Sequence, residues 1–176
     1  GMACVTALLV SINWGVYVWA VNSNQTVEAA LGYYINPLFS ILLAAVLLGE
    51  KLTRAQWVAI ALAALAVVVL TLETGRVPLA ALCLTFSWGF YALAKKSLPI
   101  GPNQGFMLEV LILSPFALGY VFYLSGDGQF GATPRMTWLL IGSGLVTAVP
   151  LMLYANGAKL VRLSTIGVLQ YIAPSL

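Results

Sequence analysis

Glu28–Leu48 reads EAALGYYINPLFSILLAAVLL: one charge at its first residue, then twenty residues without another. At about 1.5 Å per residue a helix of that length spans about 30 Å, the thickness of a bilayer's hydrocarbon core. The rest of the chain repeats the pattern. Polar stretches divide it into seven apolar segments, at about 3–21, 28–48, 56–72, 77–94, 106–124, 137–157 and 164–176. The seventh is some 20 Å long as a helix, too short to cross. The expectation is an all-α polytopic membrane bundle with six full spans and a severed seventh, part of a larger protein.

Composition agrees. Of 176 residues 61% are hydrophobic and 7% charged, where soluble domains carry about 25% charge. Mean hydropathy is +0.98. So few charges cannot cover a water-soluble globule, and disorder, a coiled coil and nucleic-acid binding are excluded with it. There is no histidine, which removes His-based dyads, triads and H-E-x-x-H sites. No G-x-x-x-x-G-K-[ST] loop appears, so no nucleotide is expected. Cys4 and Cys83 lie in apolar runs without C-x-x-C spacing, so neither metal nor disulfide is expected. The reading is of no catalytic residues, no cofactor and no enzyme.

The eight basic residues are arranged. Loops 49–55, 95–105 and 159–163 hold six of them, Lys51, Arg54, Lys95, Lys96, Lys159 and Arg162, and the alternate loops hold Arg76 and Arg135. By the positive-inside rule the first three face the cytoplasm.

Tyr34-Ile35-Asn36-Pro37 resembles Tyr171-Ile172-Ala173-Pro174, 137 residues on. At about 27 residues per helix and loop that is five helices, and an odd step inverts orientation. Two homologous halves of opposite orientation are the architecture of many secondary transporters. A competing echo, Trp14-Gly15-Val16-Tyr17 against Trp88-Gly89-Phe90-Tyr91, implies a three-helix step. The five-helix register also matches loop lengths and charge inversion.

Several stretches together resemble the EamA-type drug/metabolite transporters, closest to the RarD subfamily. They are Ile12-Asn13-Trp14 through Trp19-Ala20-Val21-Asn22, Leu31 through Leu38, Gly49-Glu50-Lys51-Leu52, Gln56-Trp57, Ser87 through Tyr91, Tyr154 through Ala158, and Gln170 through Pro174. The resemblance covers nearly the whole chain. It implies a ten-helix bundle of two inverted five-helix repeats. Residues 1–75 would be the last three helices of the first repeat, and 76–176 the first four of the second, truncated in the fourth. It further implies an inner-membrane permease or exporter of small metabolites or drugs, with a link to chloramphenicol handling.

Polar groups inside membrane helices mark function or packing. The residues that suit a solute cavity are Asn13, Tyr17, Tyr34, Asn36, Trp88, Tyr91, Tyr154, Asn156, Gln170 and Tyr171, with Pro37 and Pro174 as matched kinks beside it. Rings stack or attract cations, and amides both donate and accept. Glu109, about one turn inside its segment, is either a proton-coupling carboxylate or an acid facing head groups. Glu50 and Glu73 read as solvated. Ala55, Ala59 and Ala63, and Gly142 with Gly144, read as close-packing positions. The expected function is secondary-active transport by alternating access, coupled to an ion gradient, plausibly protons. The alternative is a non-transporting membrane subunit packed against a partner. The partners are the bilayer and a small solute.

Overall fold

The computed structural model describes residues 1–126 and 133–172. Among them the chain is helical: α1 Met2–Asn22, α2 Thr26–Leu48, α3 Arg54–Thr74, α4 Leu79–Ser97, α5 Pro102–Gly126, α6 Pro134–Leu160 and α7 Leu163–Leu169. Every segment read from the sequence corresponds to one helix, and the differences lie at the ends. Thr53 starts α3 with a capping box, its hydroxyl accepting from the Gln56 amide at 3.3 Å while Gln56 Oε1 accepts from the Thr53 amide at 2.8 Å. That pulls Arg54 and Ala55 into the helix. Gly49 and Gly75 close α2 and α3 at φ of 66° and 67°, a left-handed cap that only glycine adopts cheaply. Thr133, followed by Pro134, opens α6 earlier than the apolar pattern suggests. α5 opens at Pro102, so Glu109 lies about two turns inside it.

Five helices, α1, α2, α3, α5 and α6, are long and apolar enough to cross a membrane. The sequence reading counts α4 as a sixth. Its last turn takes in Lys95 and Lys96, which lowers its apolar character, yet it is the most enclosed helix. α1, α2, α6 and α7 pack around it, and Ala80, Ala81, Leu84, Thr85, Gly89, Tyr91 and Ala92 are all buried. α3 fully buries none of its residues; it leans on α2 and leaves most of its surface outward. α7 ends at Leu169, followed by a turn at Gln170 and Tyr171. The helix runs on through Pro37, Pro115 and Pro150, so these prolines do not break it. Pro174 lies outside the described residues.

Without a hydrophobic drive between helices in lipid, small residues and polar contacts decide which helices meet. Gly32 puts α2 against α4: a Cβ there would stand 3.0 Å from the Ala81 carbonyl oxygen, and Thr85 donates to the Gly32 carbonyl at 3.3 Å. Gly167 puts α7 on α2, where a Cβ would meet the Pro37 carbonyl at 2.8 Å and Ile41 at 2.7 Å. The small residues expected to pack do not. A Cβ at Gly142 or Gly144 meets nothing within 4 Å, Ala55 is exposed, and Ala59 and Ala63 are half-buried. A four-residue stripe marks a possible contact face, but neighbours must come to it.

Gly167→Ala in the full-length protein should therefore lower the thermal unfolding midpoint in detergent, by about 1–3 kcal/mol of stability. Gly142→Ala should leave it within error. Equal effects of the two would contradict this packing.

Candidate functional site

Between α1, α2, α4, α6 and the turn after α7 lies a cavity of about 430 Å³, within the usual range for small-molecule sites. Asn13 and Tyr17 come from α1, Asn36 from α2, Trp88 from α4 and Gln170 from the turn, all foreseen from sequence. Trp14, Gly32, Tyr33, Leu84 and Leu151 complete the wall. The first three were legible as spacing: positions 13, 14 and 17 on α1 and 32, 33 and 36 on α2 each form one helical face. Tyr17 and Tyr33 meet edge-on, ring centres 5.8 Å apart. No Asp, Glu, Lys or Arg lines this cavity.

Its amides also hold the helices together. Asn13 Nδ2 donates to the Leu84 carbonyl at 3.0 Å and to Ser87 Oγ at 2.9 Å, clasping α1 to α4. Asn13 and Ser87 are 74 residues apart and immediately precede the two W-G-x-Y stretches, so that echo marks two helices in contact. Asn36 Nδ2 lies 3.5 Å from Gln170 Oε1, and Gln170 Nε2 donates to the Tyr154 hydroxyl at 3.2 Å. Tyr154 also lies against Trp88, ring centres 5.3 Å apart and planes tilted by 44°. Asn36 Oδ1 and, one turn on, Ser40 Oγ are buried without a partner.

The remaining predicted residues lie elsewhere. Tyr34 is half-exposed, and its carbonyl accepts from the Tyr171 hydroxyl at 2.9 Å. Being next to Tyr33, it falls on another face of α2. Pro37 is buried beneath Gly167. Asn156 Nδ2 donates to Asn103 Oδ1 and the Met152 carbonyl, both at 2.8 Å, joining α6 to the start of α5.

Tyr91 belongs to a second cavity of about 260 Å³, together with Ser11, Phe106 and Glu109. Glu109 is 3% exposed, so it does not face head groups. Its Oε1 pairs with Lys95 Nζ at 2.8 Å, and Lys95 is 2% exposed. Tyr91 donates to Glu109 Oε2 at 3.4 Å. The Lys95 ammonium also lies 5.5 Å from the Tyr91 ring centre and 6.0 Å from that of Phe106. Lys95 is thus no surface anchor.

Three of the loops rich in basic residues are tied together. Glu50 accepts from the Leu163 and Ser164 amides at 3.1 and 3.2 Å and from Ser164 Oγ at 2.5 Å. It is not simply solvated. Lys96 donates to the Val161 carbonyl at 2.6 Å, and Lys159 donates to the Leu98 carbonyl. At the other end Arg76 pairs with Glu28 at 3.1 Å. Partial burial pushes the Glu50 carboxyl up, but the Ser164 and Leu163 hydrogen bonds, with Lys96 nearby, outweigh that and hold it below its ordinary value.

The comparisons agree with this architecture. Residues 2–72 match the EamA-like transporter family. The transporter YojE of Bacillus subtilis (strain 168) is 46% identical over 98% of this chain and 58% of its own length. Protein RarD of Streptomyces exfoliatus is 45% identical over 99% and 56%. Protein RarD of Escherichia coli (strain K12) is 41% identical over 99% and 60%. No solved structure gives a significant match. The chain belongs to the EamA-type drug/metabolite transporters, in their RarD group. It spans a little under two thirds of the length of these relatives. It is an integral membrane protein of a transporter family, not of an enzyme family.

A carboxyl held below its ordinary value in the folded state stabilises the fold above the unfolded value, about 4.3 for glutamate. That contribution is lost as pH falls through the lower folded-state value. Full-length protein should therefore melt at a higher temperature than Glu50→Gln at pH 6, and the two should converge in acid below pH 4. A gap that stays constant with pH would mean the carboxylate is not the source of the stability.

Proposed function

We propose that the full-length protein is a secondary-active exporter of small metabolites or drugs. The solute sits in the 430 Å³ cavity, and two five-helix halves alternate its access to the two sides of the inner membrane. Residues 1–75 belong to one half and 76–176 to the other, with loops 49–55, 95–105 and 159–163 in the cytoplasm. The observation that carries this reading is the cavity itself: a space walled by four aromatic rings and three amides, with no charged residue among those described, between helices of both halves.

The inverted repeat has support in contact geometry. Tyr34 and Tyr171 are equivalent positions in the 137-residue register, and each touches the other. Residues that meet their own counterparts lie near the axis relating the halves, where transporters of this type place their substrate. Asn36 and Gln170 beside them would orient the solute, with Asn36 Oδ1 a vacant acceptor. The energy source is an ion gradient, with Glu109 as the coupling carboxylate.

The test begins with metabolite profiles of cells with and without the full-length protein. Solutes that differ are then loaded into proteoliposomes under an imposed pH gradient. Asn36→Ala or Gln170→Ala should lower initial flux about tenfold, a loss of about 1.4 kcal/mol, while the protein stays folded. Flux unchanged in both variants, or no solute moved, would refute the reading. Labelling of cysteines introduced at Lys51 and Asn24 checks topology: only the second should react with an impermeant reagent outside intact cells.

A further inference from the structure

A buried ion pair is a poor way to stabilise a membrane protein. Removing two charges from water costs several kcal/mol each, and apolar residues of like volume often do as well or better. The Lys95–Glu109 pair exposes only 2–4% of its side-chain surface. It is also under-served: Lys95 Nζ and Glu109 Oε1 have no hydrogen-bond partner beyond their charge contact, and the Tyr91 bond to Oε2 is long at 3.4 Å. An ionisable group at membrane depth with so few ligands points to function.

What surrounds the Lys95 ammonium is a cation cage: one carboxylate at 2.8 Å and the rings of Tyr91 and Phe106 at 5.5 and 6.0 Å. Carboxylate and ring faces are the groups that bind a monocation out of water. Glu109 and Tyr91 also line the 260 Å³ cavity, while Lys95 pairs with Glu109 without lining it. A cation arriving through the cavity therefore meets the carboxylate without first meeting the lysine. The titratable groups facing Glu109 are Lys95 and Tyr91, both on α4. Tyr154 of α6 and Tyr91 both lie against the Trp88 ring, and α1 brings Val10, Ser11 and Trp14, none of which titrates.

We propose that this second cavity is the site of the coupling monocation, and that Lys95 is a tethered competitor for it. When the cavity is empty, the lysine neutralises Glu109. When a proton binds a Glu109 oxygen, the ion pair is lost and Lys95, keeping its own three protons, is released. It lies two residues from the end of α4, close enough for its ammonium to reach water along its stem. A sodium ion would act on the same carboxylate in the same way. The link to the solute is structural: Trp14 and Leu151 line both cavities and form the partition between them. The proposal rests on the transporter reading above, whose solute site is the other cavity.

Tryptophan emission of the purified full-length protein in detergent tests it, titrated from pH 5 to 9 in choline chloride and again in sodium chloride. The wild type should show one emission step that disappears in Trp14→Phe. Glu109→Gln should abolish it. Lys95→Met should move it at least one unit to higher pH, because a tenfold lower proton concentration suffices without the competitor. If a single variant leaves an unpaired charge and misfolds, Lys95→Met with Glu109→Gln removes both charges and should give a folded protein with a flat titration. A step displaced by sodium identifies sodium as a ligand of the site; a step indifferent to it identifies the proton. A flat wild type, a step that survives Glu109→Gln or the double variant, or one that does not move in Lys95→Met would overturn the proposal. Flux through the central cavity whose pH dependence survives Glu109→Gln would overturn it, and with it the coupling role of Glu109, while leaving the solute site and alternating access intact. A step that behaves as expected in a protein moving no solute would do the reverse.

Discussion

The contact of α2 with α4 holds the rest in place. It is made by an absence, the missing Cβ of Gly32, which lets the α2 backbone come within van der Waals distance of Ala81 and lets Thr85 reach the Gly32 carbonyl. Once the two helices are that close, α4 is walled on one side and α1 closes the other through Asn13. The cavity is what remains where bulky rings, Tyr17, Tyr33 and Trp88, prevent the same approach higher up. Close approach and open space come from one distribution of small and large side chains along the same three helices.

In this setting polar groups serve packing and binding together. Asn13 is both a clasp and part of the cavity wall, and Gln170 both fixes Tyr154 and faces the solute space. This follows from the solvent: in lipid an amide has no water to fall back on, so it bonds another helix or whatever enters the cavity. The charged groups follow the same rule more strictly. Each described cation at the ends of α4 and α6 that reaches inward has a carboxylate or a carbonyl to meet.

How much of this was legible in the sequence follows from the range of each cause. Helix number and order depend on local apolarity and were readable from segments such as Glu28–Leu48. The family was readable from motif combinations along nearly the whole chain. Cavity residues were readable where helical spacing alone decided them, as for Asn13 and Tyr17. Tyr34, Asn156 and Tyr171 carry similar chemistry but stand outside the lining of the cavity, and nothing local distinguishes Tyr33 from Tyr34 until α4 and α7 take their places. The burial of Lys95 was hidden for a related reason. Beside Lys96 it looks like a topology signal, and only the arrival of α5 one loop later supplies Glu109. Glu50 was missed because its partners, Leu163 and Ser164, lie 113 and 114 residues away.

That separation has a consequence for biosynthesis. At about 5–20 residues per second, some 6 to 23 seconds pass between the emergence of Glu50 and that of the amides it will bind. When that interval begins α1 and α2 are complete and α3 is still to come, and the carboxylate at the end of α2 waits for a helix that has not been made. Insertion of the early helices cannot draw on this bond, so they must hold their orientation by apolarity and loop charge alone. Docking of α7 is then a later event than insertion of the helices before it, in which one acidic side chain ties the end of α2 to a segment made more than a hundred residues afterwards.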